Sequence, residues 1–187
     1  MSFQSTPWQT VGPYYRIGLE PLYHTQIAPA DAKGERITIT GTVYDGLGQP
    51  VSDAVLELWQ ADADGIYDHA EDPRRDAHDP ALHGWGRVPT DEDGRFSFTT
   101  IKPGRVPGLK GVAQAPHIVA LVFMRGLLKA APTRIYFSDE GSNSEDGILA
   151  LVPEARRGTL IAAQTAPGQY VWNVKMQGEG ETVFFSY

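Results

Sequence analysis

RITITGTVYDG, residues 36–46, is a strand written in period two and closed by a turn. Ile37, Ile39, Gly41 and Val43 share one face, and Thr38, Thr40 and Thr42 share the other, as a half-buried strand requires. Asp45-Gly46 and Gly48 supply the turn. Residues 51–60 predict a second strand, with Leu56 and Leu58 on one face and Val55, Glu57 and Trp59 on the other. Asp62 and Asp64 in DADG fit turn chemistry better than a paired acid and base. HAEDPRRDAHDP, residues 69–80, is polar enough for a surface loop. Residues 87–100 predict a hairpin around Asp93-Gly94, with Phe96 and Phe98 in alternation. After a Gly/Pro loop over 102–116, HIVALVFM (117–124) is almost continuously apolar, which predicts a central strand covered on both faces. Residues 134–137 are strand-like. Residues 145–152 suit one or two helical turns stopped by Pro153, and 154–163 suit a short helix or a strand. Tyr170, Trp172, Val174 and Met176 alternate onto one face, and 182–185 closes the chain.

The composition agrees with this pattern. Of 187 residues, 41% are hydrophobic, enough for one sizeable core. Gly 20 and Pro 14 favour turns and short strands over long helices. Eight or nine short strands without βαβ alternation predict a mainly β fold, an antiparallel β-sandwich with one or two short helices, spanning residues 36–187. Residues 1–35 form an extended N-terminal arm. Its Pro and Gly residues interrupt regular structure, yet Trp8, Tyr14, Tyr15 and Tyr23 make it too apolar for a solvated tail. The arm must lay these rings on its own core or on another chain.

Several function classes fall away. Lys+Arg 16 against Asp+Glu 23 gives a net charge of −7 with the basic residues scattered, which argues against nucleic acid. The absence of cysteine excludes disulfides, zinc fingers and thiol nucleophiles. No run approaches the ~18 apolar residues of a membrane helix. No basic start leads into an apolar stretch, so no secretory signal is expected and the cytoplasm is the default compartment. GxGxxG, Walker and GxSxG motifs are missing. The five histidines (His24, His69, His78, His83 and His117) show neither HxH nor HExxH spacing. His69 and His78 fall in the charged loop, where solvated side chains are expected. His117 opens the most apolar strand and is expected to be satisfied by a backbone carbonyl. Arg125 follows that strand as either a surface snorkel or an anion clamp.

An ordered set of strings resembles the intradiol ring-cleavage dioxygenases. They are TVGPY (10–14), LELWQAD (56–62) with GIY (65–67), TDEDG (90–94), TIKPG (100–104), APHI (115–118), TRIYF (133–137) and QGEGETVFF (177–185). The resemblance implies a β-sandwich and a ferric ion held by two tyrosines and two histidines, phenolates being hard anionic donors suited to Fe(III). It also implies addition of O2 between the two hydroxyl-bearing ring carbons of a catecholate. Of the four ligand positions, Tyr67 and His117 survive, while Val106 and Val119 replace the second tyrosine and second histidine. Aliphatic side chains cannot bind metal, so no metal is expected in this chain. The arginine that the family places three residues before the first histidine is Gln114.

This pattern resembles the α chain of heteromeric family members that cleave protocatechuate. The implication is that a β chain holds the Fe(III), and that α and β chains assemble as repeated units. On that resemblance Thr10, Gly12, Pro13, Tyr14 and Arg125 wall the substrate pocket at the α/β interface. No catalytic residue is expected in this chain alone. Tyr67 and His117 are then expected to pack, or to hydrogen-bond each other, in a vestigial pocket. The other reading is a non-catalytic β-sandwich of the transthyretin or carbohydrate-binding kind, whose arm mediates self-association.

Overall fold

The computed structural model describes residues 6, 7, 9, 10, 12–108 and 111–186; Trp8 and Val11 of the arm lie outside them. Its strands are β1 (Arg36–Tyr44), β2 (Val55–Trp59), β3 (Trp85–Pro89), β4 (Arg95–Ile101), β5 (His117–Phe123), β6 (Ala131–Phe137), β7 (Ile161–Ala166), β8 (Gln169–Val171) and β9 (Val174–Lys175). One turn of α-helix, α1 (Glu154–Arg157), follows Pro153. The helical turns expected over 145–152 are 3-10 turns at Gly141–Glu145 and Leu149–Leu151. No helix among the described residues is long and apolar enough to cross a membrane.

The strands are hydrogen-bonded in one continuous order, β3-β2-β5-β6-β7-β8-β1-β4, with β9 also on β1. The fold is mainly β, as expected, but the sheet is curled and nearly closed like a barrel instead of dividing clearly into two layers. Nor is it purely antiparallel: β6/β7, β1/β8 and β1/β9 run parallel. The cause of the first is the connection over 138–160, whose helical turns return the chain to the end of the sheet where β6 began.

The expected hairpin over 87–100 is also corrected. Asp91 does form the turn, its carboxylate accepting from the amides of Asp93 and Arg95. The two strands then part, β3 joining β2 and β4 joining β1. Residues His24–Ile27 bridge the gap between them. The His24 amide donates to the Arg87 carbonyl at 2.8 Å and the Ile27 amide to that of Thr99 at 2.8 Å; the Thr99 amide donates back to the Thr25 carbonyl at 2.8 Å. Ile27, 2% exposed, drops into the interior over Gly86, where a Cβ would meet its Cδ1 at 2.5 Å. Ile27→Ala is therefore expected to lower stability by about 3 kcal/mol, measured as a shift in the urea midpoint at constant slope.

The barrel interior follows the period-two reading. Ile37 and Ile39 of β1, Leu56 and Leu58 of β2, Phe98 of β4 and Ile118 of β5 are buried together. Gly41 keeps its place on that inward face because Trp172 crosses it: a Cβ there would lie 1.8 Å from the Trp172 carbonyl oxygen. Tyr170, Trp172 and Val174 are buried in alternation, as expected. Residues 182–185 run alongside β6 without forming a strand. Phe185 donates to the Pro132 carbonyl, but Pro132 has no N–H to return, so no ladder grows there. The Thr133 hydroxyl reaches the Val183 carbonyl at 2.8 Å instead.

Candidate functional site

The candidate residues fall into two groups. The first is the arm with Arg125. A turn of chain opens at Pro13, whose carbonyl accepts from the amides of Arg16 and Ile17. Gly12 enters this turn at φ 66°, a conformation that suits glycine. Tyr15 anchors the segment. Its ring stacks on Phe123 at 6.4 Å and 15°, and its hydroxyl donates to the Asp53 carbonyl at 2.9 Å. Burial, and next the Asp53 carboxylate, push the Tyr15 phenol up to about 12. The Tyr15 carbonyl accepts from the guanidinium of Arg87, a β3 residue only 4% exposed that also pairs with Glu57 of β2. The Arg16 guanidinium donates to the carbonyls of Ser52 and Thr90.

With Tyr15 and Arg16 pinned, Tyr14 points outward and is 72% exposed. Arg125, two residues beyond β5, is exposed beside this turn, its Nε 3.4 Å from Asp53 Oδ2. The Gly12 amide donates to the Thr10 hydroxyl at 3.2 Å, Pro13 and Tyr14 follow, and Asp53 and Phe123 link their segment to Arg125. The Arg125 side chain is 75% exposed, with an ion-pair contact to Asp53 among the described residues.

The second group surrounds a cleft of ≈560 Å³ lined by Trp59, Tyr67, Arg74, Val106, Pro107 and Gln114, among others. Tyr67 stacks on Trp59 at 6.0 Å and 10°. Burial raises its phenol above the usual value, against the Arg134 charge that lowers it. Val106 is buried and pairs by a bridge with Gln114. Val119 lies directly opposite Trp59 on one side and Arg134 on the other. His117 is 3% exposed; its Nδ1 donates to the Ala115 carbonyl at 2.8 Å, as expected, and its ring lies 5.6 Å from Tyr136. Desolvation, then the Arg134 charge, lower its pKa to about 4. Tyr67 and His117 take different partners among the described residues, Trp59 for the first and Ala115 and Tyr136 for the second.

Arg134 is the residue that motif reading overlooked here. Its Nη1 donates to Gln114 Oε1 at 2.7 Å and to the Tyr136 hydroxyl at 3.3 Å. Tyr136 in turn donates to the buried Asp146 at 3.2 Å. A guanidinium thus provides the positive charge beside Tyr67 and His117. An iron centre does not fit these residues: two ligand positions are aliphatic, and a fixed cation stands beside the other two. No group of three His, Cys, Asp or Glu residues among those described could hold a metal ion.

The charged loop is more ordered than a solvated surface. Asp72 takes a bidentate contact from Arg74, which holds its carboxyl down to about 2. His69 is exposed, but His78 is half-buried, with Nε2 lacking a hydrogen-bond partner among the described residues. Asp62 confirms its turn role, accepting from the amides of Asp64 and Ile66.

The two groups occupy opposite ends of β5. His117 begins the strand and Phe123, under Tyr15, ends it, so about 20 Å of extended chain separates them.

Known proteins match the chain along its length. A family model described as dioxygenase covers residues 11–148. The protocatechuate 3,4-dioxygenase alpha chain of Burkholderia cepacia is 42% identical, over 98% of this chain and 98% of that one. The beta chain from the same organism is 38% identical over 77% of this chain and 64% of its own length. Among solved structures, the dioxygenase domain of a carbohydrate-binding fusion protein from Streptomyces sp. SirexAA-E superposes with a TM-score of 0.64 at 24% identity, over 96% of this chain and 100% of that one; it shares the fold. A stand-alone binding module is not favoured by these relatives. With the ordered motifs and the relatives in agreement, the chain belongs to the intradiol ring-cleavage dioxygenase family.

Proposed function

We propose that this chain is the α, iron-free subunit of a protocatechuate 3,4-dioxygenase. A homologous β chain holds the Fe(III), which supplies the activation of catecholate and O2 in the intradiol opening of protocatechuate to 3-carboxy-cis,cis-muconate. Both atoms of O2 enter the product. This chain contributes a wall. Gly12 and Pro13 bring stiff backbone close to the ligand, Tyr14 presents an aromatic face, Thr10 adds a hydroxyl, and Arg125 meets the anionic groups of substrate and product. Two chains related in sequence would pack as a unit, and such units would repeat in the assembly. The cytoplasm is the proposed compartment.

One observation carries this reading. The wall residues stand at the far end of β5 from the chain's own ligand-poor cleft, which supports a role at a reaction centre in another chain. The test is expression of this chain alone and together with its β chain, followed by oxygen uptake with protocatechuate and iron analysis. The expected result is a colourless, inactive lone chain and an active complex with iron only in the β chain. A stable complex without turnover, or a lone chain that binds iron and turns over, would refute the proposal.

A further inference from the structure

Asp53 joins the two halves of the proposed wall. It lies in the turn before β2, beside the last residues of β5. Its main-chain carbonyl holds the Tyr15 hydroxyl, and thereby the arm. Its carboxylate reaches Arg125 through Nε at 3.4 Å. The other carboxylate oxygen, Oδ1, is buried and has no hydrogen-bond partner among the described residues. The same carboxylate lies close enough to the Tyr15 phenol to raise its pKa, so it stands between the arm and Arg125. The guanidinium is a rigid planar fork, so an ion-pair contact at Nε biases the direction of the remaining N–H groups. The Arg125 side chain is 75% exposed, and Tyr14, next to the anchored Tyr15, is 72% exposed.

We propose that Asp53 is a positioning residue: it holds the Arg125 guanidinium by one edge against the arm, so that the other edge receives the carboxylate of an aromatic acid. The inference deepens the proposed function and rests on it for the identity of the ligand. A mere counter-charge would act in the opposite sense, because its removal would strengthen anion binding. The sign of the effect therefore separates the two roles.

The test uses the complex with the β chain, steady-state kinetics and two substrates, protocatechuate and catechol, which lacks the carboxylate. Asp53→Ala is expected to raise KM for protocatechuate about fivefold, the upper end for an exposed pair. The kcat stays within about twofold, and KM for catechol does not change. Asp53→Asn, which keeps an acceptor oxygen for Nε, gives a smaller rise and covers the case in which the alanine variant fails to assemble. An unchanged or lowered KM for protocatechuate, or an equal change for catechol, overturns the inference. A second readout needs no turnover: the Arg125 Nε–H resonance in the ¹⁵N spectrum of the full chain alone. It is expected to be resolved in the parent and lost to solvent exchange in Asp53→Ala. If the parent complex fails to cleave protocatechuate, the functional proposal falls; if this resonance ignores Asp53, the positioning inference falls on its own.

Discussion

Arg87→Ala is expected to lower the stability of the chain by about 3 kcal/mol and to loosen the arm at the same time. Arg87 is buried, and its guanidinium is shared between the Glu57 carboxylate and the Tyr15 carbonyl. Removing one member of such a pair leaves the other desolvated without its partner, which costs several kcal/mol. Urea unfolding reads the first effect. Trypsin cleavage after Arg16 reads the second, since Tyr15 loses the donor that anchors its carbonyl. The double variant Arg87→Met with Glu57→Leu separates them: apolar replacement of both partners recovers most of the stability, while Arg16 stays open to cleavage. If Arg87→Ala unfolds at the parent midpoint, the buried pair does not hold the fold as described.

Acid sensitivity between pH 6.5 and pH 4 is the second large effect. His117 is neutral in the folded chain, its pKa lowered from 6.5 to about 4 by burial and then by Arg134. Tyr136 lies across its ring, and Asp146, beyond Tyr136, acts in the opposite direction without reversing the shift. The unfolded chain therefore binds the proton first as pH falls. The contribution is fully present above pH 6.5, declines below it and is gone below pH 4. At about 1.4 kcal/mol per pH unit, its loss amounts to about 3 kcal/mol. Asp72, held down to about 2, is lost only in more acidic solution, so the two windows are distinct. Unfolding free energies measured across this range should fall in the parent and stay nearly level in His117→Gln. A parent curve that is flat between pH 6.5 and pH 4 would contradict a neutral, buried His117.

What the sequence could disclose was set by the range of each signal. Period-two alternation and apolar runs are local signals; the first located β1 and the buried row Tyr170, Trp172 and Val174, the second located β5. Turn chemistry is local too. Asp93-Gly94 announced a turn but not that β3 and β4 would leave it for different neighbours. The parallel pairs were hidden for the same reason, because the direction in which β7 meets β6 depends on the whole connection between them. At the site, His117 was legible as a polar residue opening an apolar strand. Arg87 was not: in a one-dimensional pattern a charged strand residue reads as outward and wet, and here the arm covers it. Asp53 carries no motif and Arg134 sits in TRIYF without a role read from it, and their contacts come from residues 72 and 20 positions away in the chain.

The segment His24–Ile27 has a consequence for any shortened version of the protein. It fills the seam between β3 and β4 and satisfies main-chain groups on both. Without it, the sheet would carry two bare edges, each a template for pairing with another molecule. The arm thus guards against fibrillar self-association, and trimming it to study the barrel by itself would invite the aggregation that the full chain avoids.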